Sequence, residues 1–174
     1  MSFRIIDGKN YSFSNKELWM LAEMETHPEV MKWNIDVYTD DTNKMYHLFR
    51  KAIEKLPKEK NQIFLVAKLN DKVIGFLGIR YKSKQMEHVG DVGITIHPDY
   101  WNRGFGTMLL KTGIEKAKKE GLLRIEAETL ATNKSMIRIA EKTGFKIEGV
   151  RKMRIKKNGK YEDEVILGII LQQK

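Results

Sequence analysis

The 174-residue chain contains no cysteine. That absence excludes a disulfide scaffold, a thiol nucleophile, an iron–sulfur cluster and any zinc site built on cysteine. Proline is scarce, at three residues, and no low-complexity or linker-like stretch breaks the sequence. Internal repeats are missing. Long apolar runs are missing too: residues 63–67 and 165–171 are strand-sized, far short of a bilayer span. No apolar run follows the charges of the first seven residues, so a secretory signal is not expected. These absences predict one soluble, cytoplasmic domain over residues 1–174, with no membrane partner and enough chain to build its own core.

What the chain has in excess is positive charge, with 32 Lys and Arg against 23 Asp and Glu. A net charge of +9 suits an anionic ligand, a nucleic acid, or simply a soluble basic surface. Residues 146–160 are densely basic, with seven cationic side chains against one acid. A nucleic-acid-binding module is therefore one function class to weigh. Against it, the sequence lacks a recognition-helix motif, zinc-finger spacing and an aromatic–basic strand signature.

Periodicity divides the chain into helical and extended parts. The first third reads as mostly helical. Asn15 is the expected cap of a helix through Leu18, Met20, Leu21 and Met24, interrupted at His27-Pro28. A second long helix opens at Asp41 or Thr42, with Met45, Phe49, Ala52, Ile53 and Leu56 on one face. Strands follow at 61–69 and 72–81, joined by Asn70-Asp71, and at 88–96, where Val92, Ile94 and Ile96 alternate with smaller or polar residues. A helix over about 104–120 ends at Gly121, a strand covers 123–130, and Asn133 caps a helix stopped by Gly144. The closing hairpin runs through 145–155 and 161–171, turning at Asn158-Gly159. This order gives an α/β domain with helices on both faces of a sheet.

The most informative segment is Thr95-Ile96-His97-Pro98-Asp99-Tyr100-Trp101-Asn102-Arg103-Gly104-Phe105-Gly106-Thr107. A strand leads into a glycine-containing loop, and the loop opens a helix. Backbone N–H groups at a helix start are unpaired and carry the positive end of the helix dipole, so they suit phosphate oxygens. Gly104 and Gly106 are expected to clear space for a pyrophosphate, with Arg103 and Thr107 adding polar contacts. The plain alternative is a tight turn. A P-loop is excluded, since no G-x-x-x-x-G-K-[ST] occurs, and a dinucleotide fingerprint lacks its third glycine.

This segment resembles the acetyl-CoA pyrophosphate loop of the GNAT superfamily of N-acetyltransferases. At the expected distance, Asn133 to Phe145, with its Glu141-Lys142-Thr143-Gly144-Phe145 ending, resembles that family's next helix. Glu148-Gly149-Val150-Arg151 and Asn158-Gly159-Lys160-Tyr161 resemble the terminal hairpin of the Rim-type ribosomal-protein N-terminal acetyltransferases and of spermidine acetyltransferases. The likeness covers about residues 61–171; the first third agrees only in layout. It implies a GNAT-type fold, a central mixed, mostly antiparallel sheet of six to seven strands with a splayed pair.

The resemblance also implies an enzyme moving the acetyl group of acetyl-CoA directly to a primary amine. No enzyme thiol exists to carry it. Ile94, Thr95 and Ile96 would pair with the pantetheine arm, and a backbone N–H there would polarise the thioester carbonyl. Trp101, Asn102, Arg103, Gly104, Phe105, Gly106 and Thr107 would hold the pyrophosphate, although Trp101 replaces the Gln or Arg often found there. Asn133 would contact the CoA arm. Ser135 is a hydroxyl at the same helix start, with local capping as its simpler role. The tyrosine that many members use to protonate the leaving thiolate is replaced by Ala140, which leans towards the Rim-type branch.

The amine must lose a proton before it attacks. Asp91 ranks first as catalytic base and Glu128 second, each weighed against an ordinary strand ion pair. The resemblance implies that Met31, Trp33 and Asn34 border the acceptor pocket, with a hydrophobic lid edge as the plain alternative. Tyr161 of the closing hairpin is a further candidate contact. The histidines at 27, 47, 88 and 97 have no metal-ligand spacing, so no metal is expected. The expected acceptor is a protein N-terminal α-amine, with a polyamine or aminoglycoside as the alternative and Asp36, Asp40 and Asp41 as candidate acids for a polycation. A GNAT without activity that only senses CoA is a third class. Ribosome association and a homodimer through a strand edge are further expectations.

Overall fold

The computed structural model describes residues 1–171. Its twelve principal elements are β1 (Phe3–Asp7), α1 (Asn15–Glu25), α2 (Pro28–Met31), α3 (Thr42–Lys55), β2 (Gln62–Leu69), β3 (Lys72–Tyr81), β4 (Val89–Ile96), α4 (Phe105–Lys119), β5 (Arg124–Leu130), α5 (Lys134–Lys142), β6 (Lys146–Lys157) and β7 (Lys160–Ile170). The strands form one seven-stranded sheet in the order β1-β2-β3-β4-β5-β7-β6. All neighbours are antiparallel except β4 and β5, which run parallel. The expected α/β architecture with a mixed, mostly antiparallel sheet is present.

Strand alternation sorts the side chains to two faces. Ile63, Leu65, Leu77, Ile79, Ile125 and Leu167 are buried on one face beneath α4 and α5, with Val92, Ile94 and Ile96 packed at the margin. Helix α4 fits this face through Leu109, Leu110, Gly113, Ile114 and Ala117, an apolar stripe of helical period. Gly113 permits the close approach, since a Cβ there would lie 2.9 Å from the Leu77 side chain. On the opposite face Phe64, Val66 and Phe76 pack with Leu18, Leu21 and Met24 of α1 and Met45 of α3. That second layer covers the β1–β3 half. Asp91, Glu126 and Glu128, on the same side farther along, remain partly or wholly exposed.

Local chemistry fixes the element ends. Ser14, not Asn15, caps α1, in a reciprocal capping box with Glu17. Asn158 and Gly159 both take positive φ, 51° and 76°, the conformation a two-residue hairpin turn requires. Strand β1 escaped the sequence reading because it is five residues long and its partner, residues 65–69 of β2, lies some sixty positions away. Helix α3 buries Met45 and Tyr46, whereas Ala52, assigned to its core face, is exposed. Among the described residues, no helix is long and apolar enough to cross a membrane.

Candidate active site

The parallel seam between β4 and β5 is three residues long, pairing Val89, Gly90 and Asp91 with Arg124, Ile125 and Glu126. Beyond it, β4 continues to Ile96 on β3 while β5 continues to Leu130 on β7. The two inner edges therefore part at Val92 and Ala127, and neither has a ladder partner among the described residues. Backbone polar groups left this way call for a ligand or water. Ile94 and Ile96 turn their backbone groups to that open edge, whereas Thr95, opposite Phe76, turns its own towards β3. One of their groups is already engaged: the Trp101 indole Nε1 donates to the Ile96 carbonyl at 2.6 Å. Trp101 thus braces the following loop against the end of β4.

The loop is built by local caps. His97 donates its N–H to the Ile74 carbonyl at 2.9 Å, and its Nδ1 accepts from the Asp99 amide at 3.2 Å. Asn102 and Gly104 then take positive φ, 59° and 81°, which turns the chain into α4. Helices α1, α2, α3 and α5 have side-chain caps from Ser14, His27, Asp41 and Asn133. Helix α4 has Gly104 at its N-cap and no side-chain cap, so its first N–H groups keep their capacity for an anion. Arg103 is exposed beside them, its guanidinium 5.6 Å from the Tyr100 ring centroid. The Phe105 ring anchors the helix start against Phe3, with centroids 5.0 Å apart; Thr107 is half-buried one turn in.

The two glycines differ in purpose. A Cβ on Gly104 would meet nothing within 4 Å, so its requirement is the left-handed backbone. A Cβ on Gly106 would lie 3.3 Å from Ile139 and 3.7 Å from Ile96. Its missing side chain serves the packing of α4 on α5 and β4.

Across the splay, Asn133 accepts from the Met136 amide through Oδ1 and donates through Nδ2 to Thr129 Oγ1, each at 3.2 Å. Its side chain therefore caps α5 and ties it to β5. Ser135 is the exposed second residue of α5, and capping falls to Asn133. Ala140 is buried in the core beneath α5 and supplies no hydroxyl.

The two carboxylates singled out from sequence are both ion-paired. Asp91 sits inside the closed seam, 59% exposed, with Oδ1 3.4 Å from Lys82 Nζ. Lys82 also holds Glu126 at 2.6 Å. Glu128 lies on the splayed part of β5 and accepts from Arg151 at 2.8 Å. The same guanidinium nitrogen reaches the buried Glu164 at 2.7 Å.

A third carboxylate, absent from the sequence reading, reaches the open strand. Glu25 is the last residue of α1. Its Oε2 accepts from Thr95 Oγ1 at 3.2 Å, and its Oε1 accepts from Asn34 Nδ2 at 3.0 Å. Burial pushes its carboxyl above the usual range, outweighing the lowering by these two neutral donors. Among the described residues no cation lies within ion-pair distance of it. One sequence signal was available: an acid in the last turn of a helix opposes the helix dipole and needs another reason to be there.

The segment expected on the acceptor side is joined to the closing hairpin by Lys157. Its ammonium donates to the backbone carbonyls of Met31, Lys32 and Asn34 at 2.7, 2.7 and 2.8 Å. Burial lowers its pKa. Trp33 is 37% exposed and Tyr161 56% exposed; no ring contact joins them, and Tyr161 carries Lys156 over its face at 5.7 Å. His27 and His97 stack edge to face with centroids 5.5 Å apart, each Nδ1 accepting a local amide. No cluster of metal-ligating side chains occurs among the described residues.

Comparison with known proteins decides the family. A family model described as Acetyltransferase (GNAT) domain matches residues 12–146. The chain belongs to the GNAT acetyltransferases. This GNAT chain is 31% identical over 119 residues to the L-amino acid N-acetyltransferase AaaT of Escherichia coli, covering 67% of this chain and 72% of that one. The fold is shared with yncA from Salmonella typhimurium, solved with its cofactor acetyl-CoA, at 18% identity and a TM-score of 0.78, covering 99% and 95% of the two chains. It is shared also with the ribosomal-protein-S5-alanine acetyltransferase of Vibrio fischeri, at 18% identity and a TM-score of 0.79, covering 98% and 93%. The protein is an acetyl-CoA-dependent N-acetyltransferase. Its open β4 edge and uncapped α4 fit the amide-bearing arm and the anionic pyrophosphate of that donor.

Proposed function

We propose that this GNAT enzyme acetylates an α-amine, drawing the acetyl group from acetyl-CoA held along Ile94–Ile96 and the 101–107 loop. The observation that supports this reading is the splay of β4 and β5, which opens onto an uncapped helix start on one side and onto Glu25 on the other. The donor supplies an activated thioester carbonyl, and the open edge of β4 supplies backbone donors for its oxygen.

The charge around the acceptor side favours an α-amine over a polyamine. The hairpin tip that meets Met31 and Asn34 carries Lys152, Arg154, Lys156, Lys157 and Lys160. A polycation would approach this rim against repulsion. Asp36, Asp40 and Asp41 are exposed, and Asp41 is occupied in capping α3. Met31, Trp33 and Tyr161 remain the proposed acceptor contacts.

A protein N-terminus is the first carrier of that amine, because the basic hairpin suits a ribosomal target or one associated with nucleic acid. A free amino acid is the second, favoured by the relative AaaT. We take the cytoplasm as the working compartment, where acetyl-CoA and newly made N-termini meet, and a sheet edge at β1 or β6 as the surface for any homodimer.

Thiol release from acetyl-CoA tests the reading, with three acceptors run in parallel: N-terminal peptides, free L-amino acids and spermidine. Turnover with either α-amine class supports it and identifies the carrier. Turnover confined to spermidine overturns it. The same holds for no turnover with any acceptor in a protein whose melting temperature CoA raises.

A further inference from the structure

Four carboxylates stand near the splay, and their surroundings differ in one respect that matters for proton transfer. Asp91 and Glu126 face Lys82, and Glu128 faces Arg151. A carboxylate engaged by a cation must give up that contact before it can take a proton from a substrate. Glu25 faces only neutral donors, the Thr95 hydroxyl and the Asn34 amide. Those two contacts also aim it. Thr95 belongs to the stretch of β4 that has parted from β5, so the Glu25 carboxylate is held on the strand along which the acetyl donor would lie. Asn34 belongs to the segment that Lys157 fastens to the hairpin tip.

We propose that Glu25 is the catalytic base that takes the proton from the incoming ammonium, with Thr95 and Asn34 as its positioning residues. The inference rests on the α-amine reading above. An α-amine arrives largely as the ammonium at neutral pH, since its pKa is about 7.7–8.0. Glu25 accepts one proton and frees the nitrogen lone pair. The nitrogen then bonds to the acetyl carbon and the carbon–sulfur bond breaks. The second proton leaves the nitrogen for the departing thiolate, giving the amide and CoA thiol, and Glu25 returns its proton to solvent. Burial raises the carboxyl of Glu25 towards the operating pH, which suits a base better than an ordinary exposed acid does.

The surrounding charges leave Glu25 to titrate alone. His27 and His97 use their Nδ1 atoms on the Glu29 and Asp99 amides, and Lys157 is held by three carbonyls. On α3, Lys44 pairs with Asp41 and Arg50 with Glu54. On α1 itself Glu17 pairs with Lys68. Lys16 and Glu23 of α1, Tyr46, His47, Lys51 and Lys55 of α3, and Lys72 and Arg80 of β3 make no ion pair with Glu25 among the described residues.

The test is the pH profile of kcat/KM for the intact enzyme with the amine acceptor that the wild type turns over. Glu25→Gln keeps the size of the side chain and one acceptor oxygen. We expect kcat to fall about 10²- to 10⁴-fold, with CoA binding and melting temperature retained. The residual rate should follow the ionisation of the amine itself, so that raising the pH restores activity. Asn34→Ala removes one donor from the carboxylate and should move the acid limb to higher pH, which a merely structural Glu25 would not do. A Glu25→Gln enzyme within about threefold of wild type with an unmoved acid limb overturns the inference. So does loss of that limb in Asp91→Asn or Glu128→Gln instead. If Glu25→Gln fails to fold, an unmoved limb in Asn34→Ala overturns it. A wild type that turns over no α-amine refutes the function reading, a separate and earlier result.

Discussion

The ammonium of Lys157 lies 2.8 Å from the backbone carbonyl of Asn34, although 123 residues separate them in the chain. It is the tip of the β6–β7 hairpin reaching the segment just after α2. Two further carbonyls, of Met31 and Lys32, complete its shell. One side chain therefore holds together the two parts of the molecule expected to meet the acceptor.

Lys157→Met keeps the apolar stem and deletes all three charge-assisted hydrogen bonds, two of them half-buried and one exposed. The expected outcome is a rise of about tenfold in KM for the amine, with CoA affinity unchanged, read by steady-state kinetics with each substrate varied in turn. An unchanged KM for the amine would show that the segment holds its place without the lysine.

Away from the site, α1 is fastened to β2 by a buried pair, Glu17 and Lys68, 2.5 Å apart. Burial alone would raise Glu17, but hydrogen bonds from Lys68, Ser14 and Tyr11 bring it down from 4.5 to about 2. A depressed acid contributes stability that is complete above its unfolded value and disappears as pH falls through its folded value. This contribution should therefore drain away between about pH 4.5 and 2. Glu17→Gln should flatten that stretch of the stability–pH curve and cost about 3–5 kcal/mol at neutral pH, because the Lys68 charge is left buried. Chemical denaturation across pH measures both.

Trp101→Phe keeps an aromatic ring and removes the hydrogen bond to the Ile96 carbonyl. The loop before α4 then loses its brace on β4. A roughly 1 kcal/mol effect corresponds to about a fivefold weaker CoA affinity, which calorimetric titration with CoA would detect. Equal affinity in the variant would mean that the caps at His97 and Gly104 fix the loop unaided.

Gly104→Ala tests the backbone alone. The added methyl meets no neighbour, yet φ stays at 81°, a region that costs an L-residue about 1–2 kcal/mol. For a chain of this size that lowers the melting temperature by about 2–8 °C. A melting temperature equal to wild type would show that the loop relaxes out of the left-handed conformation.

The contrast between the two ends of the site explains what sequence could show. The half proposed to hold acetyl-CoA was legible as a strand–loop–helix unit because it is local: strand 88–96, the loop to Gly104 and the helix beyond it are consecutive, and glycine and asparagine mark the backbone turns directly. The Asn158-Gly159 turn was legible for the same reason. The half proposed to meet the acceptor is assembled from distant pieces. Glu25 gains its character from Thr95, seventy residues on, and Lys157 from carbonyls more than 120 positions away. Carbonyl acceptors leave no trace in residue identity at all. Asp91 drew attention by lying on the right strand, but strand position does not reveal that Lys82 sits 3.4 Å from it. Strand β1 failed similarly, being too short for its pattern to speak and paired across most of a domain half.

The three-residue seam between β4 and β5 has a consequence for how the domain breathes. On one side of it, β1 to β4 form an antiparallel meander with α4 packed against it; on the other, β5, β7 and β6 form a second antiparallel unit with α5 close by. Among the described residues, backbone continuity across the sheet rests on the rungs from Val89 to Asp91 and on the His88 carbonyl, which accepts from the Leu123 and Arg124 amides. A pantetheine arm laid in the gap would supply rungs that the polypeptide omits, acting as a substitute strand. The acetyl donor would then be a structural member of the sheet while bound, and hydrogen exchange at 92–96 would slow on its arrival and quicken on its departure. Each turnover would close and reopen the middle of the fold.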